Sequence, residues 1–149
     1  SAASDVYKRQ MLYCARECAR CVLEEGLQNC LERHSLASKA MVAGLKSLGL
    51  NLYGNQDFKM TNVTGVYIPE GVISEAVRHD MLHDFGIEIG TSFGPLHGKI
   101  WRIGAMGYNA RKDAILRTFS SLTSVLKIHG VKLPDEDAAF AALEVYRTA

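Results

Sequence analysis

Hydrophobic residues recur every three or four positions along the first third of the chain, a pattern that predicts two long α-helices. The first covers residues 11–26 and the second residues 27–48, and a glycine stands at the end of each pattern. The apolar stripe predicted for the first helix comprises Met11, Cys14, Ala15, Cys18, Ala19 and Val22. Because a stripe of this kind normally faces other residues, we expect it to be exposed in this chain and to pack on a segment that the chain does not contain.

Short apolar segments with alternating character follow the helices and predict strands at residues 50–53, 63–68, 87–89 and 99–106. Helical patterns separate and follow them: one over residues 74–85 with Ser74 as its cap, one capped by Asn109, and one from Asp135 to about Tyr146. Strand pairs on either side of one helix favour an α+β fold. We predict a small, mostly antiparallel sheet covered by helices on one face and preceded by the long helices.

The composition narrows the possible functions. The 149 residues suit one domain, with 48% hydrophobic and 22% charged residues and a net charge of +1, so nothing favours a nucleic-acid partner. No apolar run approaches the roughly 20 residues needed to cross a membrane. The four cysteines lie near the amino end, which favours reduced thiols and a cytoplasmic protein. Residues 1–10 show no periodicity and no signal-peptide core. We interpret them as a non-native leader ahead of a domain covering residues 11–149.

The chemically most informative residue is Arg102, a single charge within an apolar strand. Alternation places Ile100, Arg102 and Gly104 on one face of the strand. A guanidinium stays charged, so a buried arginine must meet an anion. Two interpretations remain open: a substrate carboxylate bound by two parallel hydrogen bonds, with Gly104 leaving room for it, or an internal ion pair with Glu88.

Two motifs have metal-ligand spacing, and we assign no metal to either. Cys14, Cys18 and Cys21 spell CxxxCxxC, but they lie in a helical pattern, where buried cysteine packs as a small apolar residue. His79 and His83 are one helical turn apart. They lack the glutamate of the zinc-protease motif and lie opposite the apolar stripe, so we expect them to be solvated.

No catalytic residue is predicted within the chain. Lys39 and Lys46 fall on or near a solvated helix face and Lys59 in a polar turn, so none has the dry surroundings of a Schiff-base lysine. Residues 94–99, GPLHGK, are one residue shorter than a phosphate-binding loop and precede a strand instead of a helix.

Three segments carry a resemblance to a known family: MLYCARECARCVLEEGL, LERHSLASKAMVAGLKSLGL and, above all, FGIEIGTSFGPLHGKIWRIGAMGYNA. Together they resemble the carboxy-terminal domain of the class V aminotransferases, which are fold-type I enzymes that use pyridoxal phosphate. Within the class, the chain is most similar to the (S)-ureidoglycine–glyoxylate aminotransferases of purine breakdown. The alanine–glyoxylate and serine–glyoxylate aminotransferases come next.

The resemblance implies that Arg102, in the RIG motif, binds the carboxylate of the amino donor or of glyoxylate. It also implies a cytoplasmic homodimer with pyridoxal phosphate. The Schiff-base lysine and the phosphate loop of the family lie in a larger domain upstream, so no cofactor-binding residue is assigned to this chain, which alone is predicted to be inactive. Other classes, a non-catalytic carboxylate-binding or interaction domain, remain as alternatives.

Overall fold

The computed structural model describes the backbone of residues 2–149 and the side chains of residues 8–149, which divide into two compact units, Ser1–Arg33 and His34–Ala149. Within these residues there are five α-helices and three strands. In chain order they are α1 (Ala2–Glu25), α2 (Leu27–Ser47), β1 (Val63–Tyr67), α3 (Ser74–Phe85), β2 (Gly90–Thr91), β3 (Ile100–Gly104), α4 (Lys112–Ile128) and α5 (Ala138–Arg147). None of the helices in this part of the chain is both long and apolar enough to span a bilayer.

The first unit contains α1 and the start of α2, which meet at Gly26 with a left-handed φ of 84°. An ion pair joins Arg33 to Glu25 across this turn, with Nη2 2.8 Å from Oε2. Helix α1 begins at Ala2 and not at residue 11; whether residues 1–10 are a leader stays a prediction. The side chains of the α1 stripe are exposed, as expected. The prediction that Cys14, Cys18 and Cys21 pack as small apolar residues is wrong, because no second layer covers them among the described residues of this unit.

The second unit is built on a sheet with the strand order β1-β3-β2, antiparallel throughout. On one face of β3 the side chains of Trp101 and Ile103 are buried, and on the other face Arg102 is exposed. The predicted strand over residues 87–89 is not formed; β2 is the shorter Gly90–Thr91, and the segment over residues 50–53 contributes one bridge, between Leu52 and Val66. The predicted α+β fold class, an antiparallel sheet with helices, is confirmed.

The helices of this unit supply the other half of a single hydrophobic core. Met41 and Leu45 of α2, Val77 and Met81 of α3, and Trp101 of β3 are fully or almost fully buried there. The inward stripe predicted for α4 is confirmed, since these residues are all buried: Ile115, Phe119, Leu122, Val125 and Leu126. The sheet therefore packs on the core through its Trp101 side, and on the opposite side Ile100 is buried and Arg102 is exposed.

The helix boundaries agree with the prediction better than the helix caps do. Helix α3 covers the predicted residues, but Ser74 is its first helical residue and not its cap. Helix α4 is preceded by Arg111, because Asn109 ends a 3₁₀ turn before it. Helix α5 is capped by Asp137, whose side chain accepts hydrogen bonds from two amides of the first turn, and Asp135 lies two residues earlier.

Candidate functional site

Arg102 lies in the middle of β3 with a glycine on each side of it in the sheet. Its partners in the antiparallel register are Gly65 of β1 and Gly90 of β2. A Cβ built at Gly90 would lie 3.2 Å from the backbone oxygen of Arg102 and 3.7 Å from its Cβ. The lack of a side chain at Gly90 therefore allows β2 to approach β3 closely. The space at Gly65 is taken by Tyr53, whose Cβ lies 3.2 Å from a Cβ built there.

The side chain of Arg102 is exposed, so the prediction that it is buried is wrong. Alternation places it on the predicted face, which is only partly covered: Ile100 on that face is buried and Tyr53 packs against Gly65, whereas Arg102 is exposed. Its Nε donates a 2.8 Å hydrogen bond to the backbone oxygen of Thr91, and its Cζ lies 5.0 Å from the centre of the Phe93 ring. These two contacts fix the plane of the guanidinium.

Both terminal nitrogens of Arg102 point to no partner: among the described residues, neither forms a hydrogen bond or ion pair. The predicted alternative of an ion pair with Glu88 is wrong, since no carboxylate lies within 4.0 Å of the Arg102 guanidinium in this part of the chain. Glu88 instead lines a cavity of about 330 Å³ between the 86–89 segment, the end of β3 and the start of α4. The two terminal nitrogens of Arg102 are thus available as hydrogen-bond donors to a group outside the described residues.

The space predicted at Gly104 is partly filled, because a Cβ built there would meet Cε of Met106 at 3.3 Å. A second arginine was missed by the sequence reasoning. Arg111 also lines the 330 Å³ cavity, and its Cζ lies 3.8 Å from the centre of the Tyr108 ring. Its Nη2 is 3.2 Å from Oδ2 of Asp113. In the sequence, the contact between Tyr108 and Arg111 could have been predicted only from their spacing of three residues.

The two predicted histidines lie on the surface of α3, with their rings stacked 4.1 Å apart. Nδ1 of His79 is 3.1 Å from Oδ1 of Asp80, and Nε2 of His129 is 2.7 Å from Oδ2 of the same carboxylate. The hydrogen bond with His79 has the largest effect on Asp80 and that with His129 the next largest, and both lower its pKa. Among the described residues, no group of three or more histidine, cysteine or acidic side chains is arranged to hold a metal ion.

The lysines differ from one another more than the sequence indicates. Lys39 and Lys46 are exposed, as predicted, whereas Lys59 is half-buried. Its Nζ donates to Oγ of Ser38 at 2.5 Å, and burial lowers the pKa of Lys59. The GPLHGK segment forms a 3₁₀ turn, Gly94–Leu96, ahead of β3, which is the order that argued against a phosphate-binding loop.

Comparison with curated proteins finds aminotransferases. Over 139 residues, 93% of this chain, the sequence is 50% identical to the (S)-ureidoglycine–glyoxylate transaminase of Bacillus subtilis, of which it covers 33%. It is 32% identical over 117 residues, 78% of this chain, to the alanine–glyoxylate aminotransferase of Mus musculus, of which it covers 28%. The chain therefore spans about a third of the length of these relatives. No protein-family model matches it.

Solved structures give the same result. The structure of ureidoglycine–glyoxylate aminotransferase from Bacillus subtilis superposes with a TM-score of 0.88 at 50% identity, covering 92% of this chain and 35% of that one. Pyridoxamine–pyruvate aminotransferase from Mesorhizobium loti follows with a TM-score of 0.81 at 29% identity, covering 87% of this chain and 33% of that one. These similarities confirm the resemblance that the sequence segments indicated.

Proposed function

We infer that this chain, a relative of the glyoxylate aminotransferases, is the carboxy-terminal part of an enzyme that transfers an amino group to glyoxylate. The 50% identity over 93% of the chain supports (S)-ureidoglycine as the amino donor. The 32% identity to an alanine–glyoxylate aminotransferase makes alanine the next candidate, with serine beside it. On the resemblance alone, we also propose a cytoplasmic homodimer that acts in purine breakdown.

The observation that supports this proposal most directly is the free fork of Arg102. The hydrogen bond from Nε to Thr91 and the Phe93 ring hold the guanidinium, while both terminal nitrogens remain available. A carboxylate of glyoxylate or of the amino donor would accept one hydrogen bond from each nitrogen. Such a bidentate pair restricts rotation of the substrate and orients its α-carbon.

Transaminases of this kind use pyridoxal phosphate, and the described residues do not fit that cofactor. A Schiff-base lysine would have to reach the Arg102 face of the sheet. Nζ of Lys59, however, donates a hydrogen bond to Oγ of Ser38 and lies near Oγ1 of Thr64. Thr64 is buried on the helix-covered face, opposite Arg102. We propose that segments outside this chain bind the cofactor, and that this chain contributes the carboxylate site.

The test uses the complete reading frame that contains this chain, purified with pyridoxal phosphate and assayed with glyoxylate and each amino donor. Arg102→Ala removes a charged partner of the substrate, a change that costs about 2–5 kcal/mol. We expect kcat/KM to fall about 30- to 4,000-fold, since 1.4 kcal/mol is a factor of ten. The matched control is Arg147→Ala, because Arg147 is 65% exposed on α5 and pairs only with Glu144 among the described residues; it should leave kcat/KM unchanged.

Two results would contradict the proposal. If Arg102→Ala retains wild-type turnover with glyoxylate, the arginine is not the carboxylate ligand. If the 149-residue chain alone binds glyoxylate saturably in calorimetry, and the complete protein shows no transamination with any donor, the chain is a non-catalytic binding domain. The aminotransferase proposal expects turnover by the complete protein and none by this chain.

A further inference from the structure

A cluster of positively charged side chains, separate from Arg102, lies next to α2 on the helix-covered side of β1. Here α2 and residues 56–61 enclose a pocket of about 530 Å³. Its lining includes three lysines, Lys39, Lys46 and Lys59, and one carboxylate, Asp57. Three ammonium groups against one carboxylate leave a net charge of +2 around the pocket when all four are ionised. An excess of positive charge within a concave surface concentrates anions.

Lys59 supplies the fixed, half-buried positive charge of this pocket. Its Nζ donates to Oγ of Ser38 at 2.5 Å and lies 3.4 Å from Oγ1 of Thr64, and both hydroxyl groups belong to buried residues. A third contact, at 3.3 Å, is to the backbone oxygen of Met60. The three N–H donors of the ammonium group are thus taken by neutral oxygens, which fix its position without balancing its charge. Lys59 therefore attracts an anion by its charge, and the N–H donors to that anion come from Lys39 and Lys46.

No carboxylate compensates this half-buried charge. Among the described residues, no acidic side chain lies within 4.0 Å of Nζ of Lys59, and burial lowers its pKa. A charged group withdrawn from water without a counter-ion is costly, and an anion bound beside it reverses that cost. Lys39 and Lys46, on the neighbouring helix, are exposed and free to turn towards the same anion.

We propose that this pocket binds a phosphate-class dianion, either inorganic phosphate or the phosphate group of a monoester. The donors are ammonium groups and hydroxyl groups approaching from α2 and from the 56–61 segment, without a guanidinium fork. Separate point donors suit a tetrahedral group with several oxygens, whereas a planar carboxylate is matched better by arginine. The proposal does not depend on the aminotransferase assignment, because it uses none of the residues around Arg102.

The experiment titrates the 149-residue chain with inorganic phosphate, methyl phosphate, sulfate and acetate at constant ionic strength. Binding is followed by calorimetry and by the NMR shifts of the amides of residues 55–61. We expect saturable binding of phosphate below about 10 mM, with acetate at least about tenfold weaker. Methyl phosphate binding as well as phosphate would identify a monoester site, and weaker methyl phosphate binding would identify a site for the free ion.

Charge variants of opposite sign provide the decisive comparison. Lys59→Met should weaken phosphate binding at least about tenfold, and Lys46→Met, at an exposed position, about threefold. Asp57→Asn should strengthen binding about threefold, because it removes the only carboxylate lining the pocket among the described residues. Lys132→Met is the matched control on an exposed lysine elsewhere and should have no effect.

The proposal is overturned if phosphate causes no saturable shift of the 55–61 amides. It is also overturned if Lys46→Met does not weaken phosphate binding and Asp57→Asn does not strengthen it, or if Lys132→Met changes the affinity as much as Lys46→Met does. Far-UV circular dichroism of each variant separates a loss of binding from a loss of folding. Since Lys46 and Asp57 are both exposed, these two variants test the proposal even if Lys59→Met does not fold.

Discussion

Gly44, in the middle of α2, is the position where the smallest change should have the largest effect on stability. Gly44 is buried, and the ring of Phe119 from α4 lies directly against it. A Cβ built at Gly44 would be 2.3 Å from Cζ and 2.4 Å from Cε2 of that ring. The ring itself is fully buried, so it has no open space into which it can move.

The expected size of the effect of Gly44→Ala follows from two opposing terms. Alanine is better than glycine within a helix by about 1 kcal/mol. Carbon atoms pack at about 3.5 Å or more, so the new methyl group would overlap the ring by roughly 1.2 Å. Overpacking of a core costs about 1–3 kcal/mol, and we take the upper end because both groups are held by packed helices. The net loss in the free energy of unfolding is about 2 kcal/mol.

The assay is urea unfolding followed by far-UV circular dichroism on the full chain. Ala43→Gly, at the adjacent position of the same helix, calibrates the propensity term and should cost about 1 kcal/mol. Phe119→Leu removes the clashing edge of the ring, so the loss from Gly44→Ala should be smaller in that background by at least about 1 kcal/mol. If Gly44→Ala is neutral or stabilising, or if its effect is the same with leucine at 119, the packing argument is refuted.

Two further predictions concern the links between β3, α3 and α4. Nε1 of Trp101 donates a 2.9 Å hydrogen bond to Oγ of Ser74, so Trp101→Phe should lower the free energy of unfolding by at least about 1 kcal/mol, measured in urea. Ser74→Ala should cost a similar amount, and an unchanged midpoint in both variants would contradict this role. Asp80 has a lowered pKa because of His79 and His129, so it stabilises the folded chain above its unfolded pKa of about 3.8, and this contribution is lost as the pH falls through the lower folded pKa. Asp80→Asn should flatten the acid side of the stability profile, and a profile identical to that of the wild type would exclude the pair.

Helix-ending glycines and local apolar repeats were sufficient to predict several helices. Helix α3 covers the predicted residues because its end is set by Gly86, which adopts a left-handed φ of 65° that closes the helix. The α4 stripe was predictable because its apolar residues, from Ile115 to Leu126, repeat at the helical period over about three turns. Both features depend on residues close together in sequence.

The errors arose where the answer depends on distant residues. Alternation placed Arg102 on the correct face, but its exposure depends on whether another layer covers that face, which strand periodicity does not contain. Lys59 was read as a residue of a polar turn, whereas its surroundings are set by Ser38, 21 residues earlier on α2. The caps of α4 and α5 were each misplaced by two residues, because several polar residues precede each helix and only the backbone geometry chooses among them.

The hydrogen bond that holds Arg102 ends on a main-chain oxygen, that of Thr91, and its two neighbours in the ladder carry no side chains. Every amino acid possesses that oxygen, so replacement of Thr91 leaves the anchor of the arginine in place. The position of the Arg102 guanidinium therefore does not depend on which side chain is present at position 91. The residues around Arg102 can therefore change without moving its guanidinium.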